Sequence, residues 1–214
     1  MKKLIYELIG TLVLVFTIGT AVASGSVFAP LSIGCALMVM GYAGGHISGA
    51  HYNPAVSLAI FIRGKISGPE MFQYWIAQIS GGLAGAFLSC AITGSDTCCQ
   101  MIPEAEASRA VFAELIGTFI LAFVVLNVAT VKAHHGNSFY GLAIGFTIFA
   151  LASTIGSISG GAYNPAVGIS RCFCDMANGG PSLSNLWIYL VGPFAGATLA
   201  ALVWNYCNDR KAND

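Results

Sequence analysis

The chain has 214 residues, 56% hydrophobic and only 8% charged, with nine lysines plus arginines balanced by nine aspartates plus glutamates. That composition places it among membrane proteins rather than soluble domains, and zero formal charge gives no electrostatic basis for a nucleic-acid partner. Its 26 glycines suit helices that pack closely in lipid.

The first apolar run, residues 4–24, follows Lys2 and Lys3 and ends in Ala21-Val22-Ala23, imitating a cleavable signal peptide. Glu7 interrupts it, and the stretch has an internal copy at 112–130, so we read it as a retained first helix. Runs long enough to span a bilayer follow at about 28–44, 70–93, 109–131, 138–157 and 184–207. Two shorter stretches lie between them: GHISGAHYNPAVSLAIFIR at 45–63 and SGGAYNPAVGISR at 159–171. Asparagine is a strong N-cap, and proline is favoured just inside a helix start because its missing N–H would be unpaired there anyway. Asn53-Pro54-Ala55 and Asn164-Pro165-Ala166 are therefore predicted to open short helices, ending before Arg63 and Arg171. Both are too short to cross a membrane and read as re-entrant, which requires that they be buried in protein or line a watery cavity.

The halves repeat. Glu7-Leu-Ile-Gly-Thr11 recurs as Glu114-Leu-Ile-Gly-Thr118, an offset of 107 residues, and the Asn-Pro-Ala offset is 111. The prediction is an all-α membrane protein with six transmembrane helices plus two re-entrant half-helices in an inverted 3+3 repeat. One transmembrane channel domain covers 1–214, with repeats at approximately 1–93 and 109–207. Lys2, Lys3, Arg63, Lys65, Lys132, Arg210 and Lys211 against Arg109 and Arg171 orient both termini to the cytoplasm. The acidic connection 95–108, with Asp96, Glu104 and Glu106, then lies outside.

The paired motifs, GHISGAHYNPAV above all, resemble the aquaporin (major intrinsic protein) family over nearly the whole chain. The resemblance implies a right-handed bundle of six tilted helices, a homotetramer with one pore per subunit, and no cofactor. It also implies a four-residue outer constriction, which alignment on the two asparagines puts at Ile33, Ala152, Gly161 and Val167. Water-selective members resemble Phe, His, Cys or Ala, and Arg at those places. Glycerol-conducting members keep the Arg and usually add an Asp where this chain has Gly168. Some plant vacuolar-membrane relatives also carry Val at the fourth position and are associated with ammonia, urea and peroxide as well as water. Near the last helix Gly192-Pro193 is at its usual place, while Tyr189 and Leu190 mix water-channel and glycerol-channel features and give no subfamily.

Asn53 and Asn164 are the strongest candidates for function. Two opposed half-helix starts concentrate partial positive charge at mid-membrane, and each Asn amide can donate to a passing water. Glu7 and Glu114 are ionisable groups inside apolar runs, for which a proton relay competes with acceptance of backbone N–H groups from the segment before each half-helix. The structural reading is preferred. His46 is a candidate pH gate, weighed against a hydrogen-bonded loop histidine; His46 and His51 carry no metal-type spacing, and His134 with His135, in the connection 132–138, either gates the pore or is simply solvated. Arg171, one turn beyond Val167, either reaches the outer vestibule or snorkels to the headgroups, the second being preferred.

The seven cysteines show no metal-binding pattern, and no metal site is expected. Cys35, Cys90 and Cys207 are read as small hydrophobes. Cys98 with Cys99, and Cys172 with Cys174, fall in connections and are read as free thiols in preference to a disulfide. No serine or cysteine has a His-plus-carboxylate set around it, so the chain is not expected to be an enzyme.

The reading is a passive membrane channel for water and small neutral solutes such as glycerol, urea or ammonia, excluding protons at the paired half-helices. Alternatives are a strict water channel narrowed by other side chains such as Arg171 or Tyr52, a weakly ion-conducting pore, and an adhesive protein of the same fold.

Overall fold

A computed structural model describes residues 1–101 and 105–208. Glu104, Arg210 and Lys211, assigned above to the outer connection and inner face, lie outside the described residues. Among the described residues all regular structure is helical. In chain order, α1 (Lys2–Ala23) and α2 (Ala29–Ser48) lead to the half-helix α3 (Pro54–Ile62) and then α4 (Gly68–Thr93). After a connection, α5 (Ala107–Ala129), α6 (Tyr140–Thr154) and the single turn α7 (Gly156–Ser159) lead to the half-helix α8 (Pro165–Ala177) and to α9 (Ile188–Cys207).

Helices α1, α2, α4 and α5 and the segment Ser182–Cys207 are long and apolar enough to cross a membrane. The expected span at 138–157 departs from this. It is a 15-residue α6, a break at Ile155, and one more turn. In the last turn of α6, Ser153 and Thr154 donate their hydroxyls to the carbonyls of Phe149 and Ala150. Half-helix α8 departs the other way: it runs 13 residues to Ala177 and is not ended by Arg171, which is buried.

Helix α1 packs along α4, α5 along α9, and α2 crosses α6. At that last crossing a Cβ on Gly34 would meet the carbonyl oxygen of Gly145, and one on Gly145 that of Gly34, so the two backbones touch. The radial pattern differs from that of a soluble protein: the interior is mainly apolar, but large apolar side chains also face outward and several polar ones are buried. Ile76, Phe87, Ile92, Val191 and Leu202 are exposed, whereas Glu7, Ser57, Gln78 and Glu114 are fully buried. The apolar exterior fits lipid, and the buried polar groups position the site.

Candidate pore

Two buried carboxylates hold the loops that precede the half-helices. Glu7 Oε1 accepts from Ser48 Oγ (2.6 Å) and His51 N (3.0 Å), and Oε2 from Tyr52 N (2.7 Å) and Gln78 Nε2 (2.8 Å). Glu114 Oε1 accepts from Ser159 Oγ (2.7 Å) and Ala162 N (2.9 Å), and Oε2 from Tyr163 N (2.6 Å). These loop N–H groups have no helical partner, and burying them unpaired in lipid would be costly. Tyr52 and Tyr163 both take φ 48°, the left-handed region that a bulky residue rarely adopts. Several bonds hold the conformation together, as such strain requires. Each tyrosine ring also lies against a glycine, Tyr52 on Gly10 and Tyr163 on Gly117, where any Cβ would collide with it.

The asparagines then cap and cross. Asn53 Oδ1 accepts from Ala55 N (2.9 Å) and Val56 N (3.4 Å), and Asn164 Oδ1 from Ala166 N (2.9 Å). Asn53 Nδ2 donates to the Tyr163 carbonyl (2.9 Å), and Asn164 Nδ2 donates to the Tyr52 carbonyl (2.8 Å). Each half-helix start is thus pinned to the loop of the other. Pro54, Ala55, Pro165 and Ala166 form the first turns and are buried.

Asn53 and Asn164 line one cavity of about 190 Å³, and so do Ile33, Ala152, Gly161 and Val167. None of those four side chains carries a hydrogen-bonding group. Gly168 cannot take the aspartate of glycerol-conducting relatives without moving Tyr189, whose Cβ and ring occupy the place of its missing side chain.

Arg171 is 3% exposed, lines the same cavity and does not snorkel. Its Nη1 donates to Met101 Sδ and its Nη2 to the Cys98 carbonyl, each at 3.2 Å, so the outer connection folds over it and holds it inward. His46 is exposed in the last turn of α2, in a helix rather than a loop. His51 is buried on the cavity wall, its Nδ1 3.0 Å from Ser57 Oγ and its ring edge-on to Tyr74. His134 Nδ1 bonds the Asn127 carbonyl (2.9 Å) in the connection after α5.

Sequence reasoning missed several supports. Tyr74 and Tyr189 donate to the Ser48 and Ser159 carbonyls (2.7 and 2.5 Å), tying α4 and α9 to the two loops. The two tyrosines stand at different distances from their motifs, 21 residues after Asn53 and 25 after Asn164, so spacing gave no signal. The cysteine reading also needs correction. Cys90 and Cys98 form a disulfide, while Cys99, Cys172 and Cys174 are buried thiols. Cys172 and Cys174 sit within α8 rather than in a connection. Local pattern gave no hint of the pairing, because it depends on the outer connection folding back across the end of α4.

A sequence model described as major intrinsic protein matches residues 1–204. The chain is 38% identical over 212 residues to the glycerol uptake facilitator protein-like 6 of Lactiplantibacillus plantarum, covering 94% of this chain and 95% of that one. It is 34% identical over 238 aligned positions to the aquaporin AqpM of Methanothermobacter marburgensis, covering 96% of each. The solved structure of the aquaglyceroporin from Plasmodium falciparum shares its fold, with a TM-score of 0.86 at 24% identity over 95% of this chain and 94% of that one.

Proposed function

Because this chain belongs to the major intrinsic protein family, we propose that it is a passive channel for water and small neutral solutes, with proton passage blocked at the paired Asn-Pro-Ala motifs. It is a channel and not an enzyme. The observation that carries the proposal is the pair Asn53 and Asn164 at two abutting half-helix starts on one cavity wall. Each amide has two N–H donors and spends one on the opposite loop. The second is free to bind the oxygen of a water in the cavity. A water held by both amides turns its hydrogens away from the midpoint, which interrupts any proton wire. The partial positive charge of two helix starts adds a barrier to cations.

Solute range follows from the outer quartet. Ile33, Ala152, Gly161 and Val167 offer no side-chain donor and little bulk, which favours glycerol, urea or ammonia alongside water. A second reading, a strict water channel with the constriction at Arg171, is favoured by one observation: Arg171 is fixed on the cavity wall by two bonds. Glu7 and Glu114 act as scaffold. Both termini face the cytoplasm, and the assembly is a homotetramer in the lipid bilayer, as the family resemblance implies.

The test is a proteoliposome assay that reads osmotic shrinkage by light scattering and internal pH by a trapped dye. We expect shrinkage in sucrose well above protein-free vesicles, with no dissipation of an imposed pH gradient. A pH gradient that collapses at the same protein density would contradict the proposed barrier.

A further inference from the structure

Four of the seven cysteines converge at the outer end of the bundle, away from the asparagines, and the channel reading does not use them. Cys90 comes from the last turns of α4, Cys98 and Cys99 from the turn that follows it, and Cys174 from α8. The sulfur of Cys90 is 3.1 Å from that of Cys99 and 3.4 Å from that of Cys174, and all three sulfurs lie within 4.8 Å of one another. Cys99 and Cys174 are fully buried and Cys90 is half-buried. Metal–sulfur bonds of about 2.3 Å place the sulfurs of a tetrahedral site about 3.8 Å apart, within a few tenths of an ångström to about 0.7 Å of the two closest separations here.

Charge points the same way. Arg171, one turn before Cys174, is a buried cation whose described partners are a thioether and a carbonyl rather than a carboxylate, and its Nε has no partner. Three thiolates on a divalent ion carry a net charge of minus one, which the guanidinium offsets. The neighbouring Asp175 carboxylate accepts from the Ser182 N–H, 3.0 Å away. Soft thiolate ligands with no carboxylate in the set select d10 ions such as zinc or cadmium over magnesium or calcium.

We propose that Cys90, Cys99 and Cys174 form a three-thiolate site for a soft divalent metal ion, locked by the Cys90–Cys98 disulfide and opened by its reduction. A two-electron reductant opens the lock. With a phosphine, the S–S bond breaks, water supplies an oxygen to the phosphine and a proton to each sulfur, and Cys90 becomes a free thiol. Metal binding then displaces the protons of the three thiols. Cys98 is the lock and not a ligand. The bound ion ties α4, the outer connection and α8 together beside the arginine that lines the pore.

The test uses the full chain in detergent, carrying Cys35→Ser and Cys207→Ser to remove the two thiols outside the cluster that are not buried; the buried Cys172 is kept in every variant. Cadmium is titrated while the ultraviolet thiolate-to-metal charge-transfer band is followed. After phosphine treatment one cadmium per chain is expected, against none for the disulfide form. Cys99→Ser or Cys174→Ser weakens binding by at least about tenfold, since loss of a ligand costs no less than loss of its outer partners. Cys98→Ser retains all three ligands and binds as the reduced parent does. Equal binding by the disulfide form overturns the proposal. So does parent-like binding by Cys99→Ser and Cys174→Ser, or failure of reduced Cys98→Ser to bind.

Discussion

The two half-helix sites are alike at their centres and unlike one turn outward. Glu7 and Glu114, Ser48 and Ser159, Tyr52 and Tyr163, and Asn53 and Asn164 make matching bonds, and even the hydroxyls of Tyr74 and Tyr189 reach matching carbonyls. Around that centre the first half has His51, Ser57 and Ile60 where the second, counted from the asparagines, has Ala162, Gly168 and Arg171, and Gln78 where the second, counted from Tyr74 and Tyr189, has Pro193. A polar chain from His51 through Ser57 and Gln78 to Glu7 therefore exists only in the first half. A cation on the cavity wall exists only in the second. Backbone groups of a re-entrant loop must be satisfied in either half, so that machinery appears twice. Under the proposed function, selection of a solute needs only one constriction, so its residues need appear only once.

The largest effect is expected where the centres agree. Glu114→Leu strands the Ser159 hydroxyl and the N–H groups of Ala162 and Tyr163, at about 1–3 kcal/mol for each buried orphan. Glu7→Leu strands four donors. Neither variant should be recovered as a monodisperse peak on size exclusion in detergent. A well-folded, permeable Glu114→Leu channel would show that the second carboxylate is not scaffold.

Next comes the outer quartet, where the halves part. Val167→Arg should cut glycerol and urea permeability at least about tenfold in vesicle swelling while leaving water within about threefold, because the guanidinium adds bulk and donors to an apolar ring. Arg171→Met should raise cation leak under a salt gradient about fivefold, since a unit charge ~8 Å away at an effective dielectric constant near 40 contributes about 1 kcal/mol. An unchanged leak would mean that Arg171 serves only to anchor Met101 and Cys98. Smallest is Gln78→Leu, which leaves Glu7 with three bonds, as Glu114 has. Gln78 Oε1 is already without a partner, so a stability loss of only about 1 kcal/mol is expected in thermal unfolding, with permeability unchanged.

Much of this was legible because lipid makes local rules strict. An Asn-Pro start too short to span, a Glu inside an apolar run, and the same pair again in the second half left few arrangements open. The positions read as the outer quartet do share one cavity wall. What could not be read depended on how the outer connection folds. Met101 and the Cys98 carbonyl capture Arg171, so a residue that ends an apolar run in sequence lies mid-helix and buried in the structure. Cys90 looks like a small hydrophobe in an apolar helix until that connection brings Cys98 to it. The shortened α6 ends at Thr154 and gives way to the single turn α7, a break that hydropathy does not register.

The central claim is a permissive pore for neutral solutes, and stopped-flow light scattering on proteoliposomes challenged in parallel with sucrose, glycerol and urea tests it most directly. The account predicts fast shrinkage in all three, followed by fast re-swelling in glycerol or urea as the solute enters past Ile33, Ala152, Gly161 and Val167. Fast shrinkage with no re-swelling would contradict it and assign the constriction to Arg171.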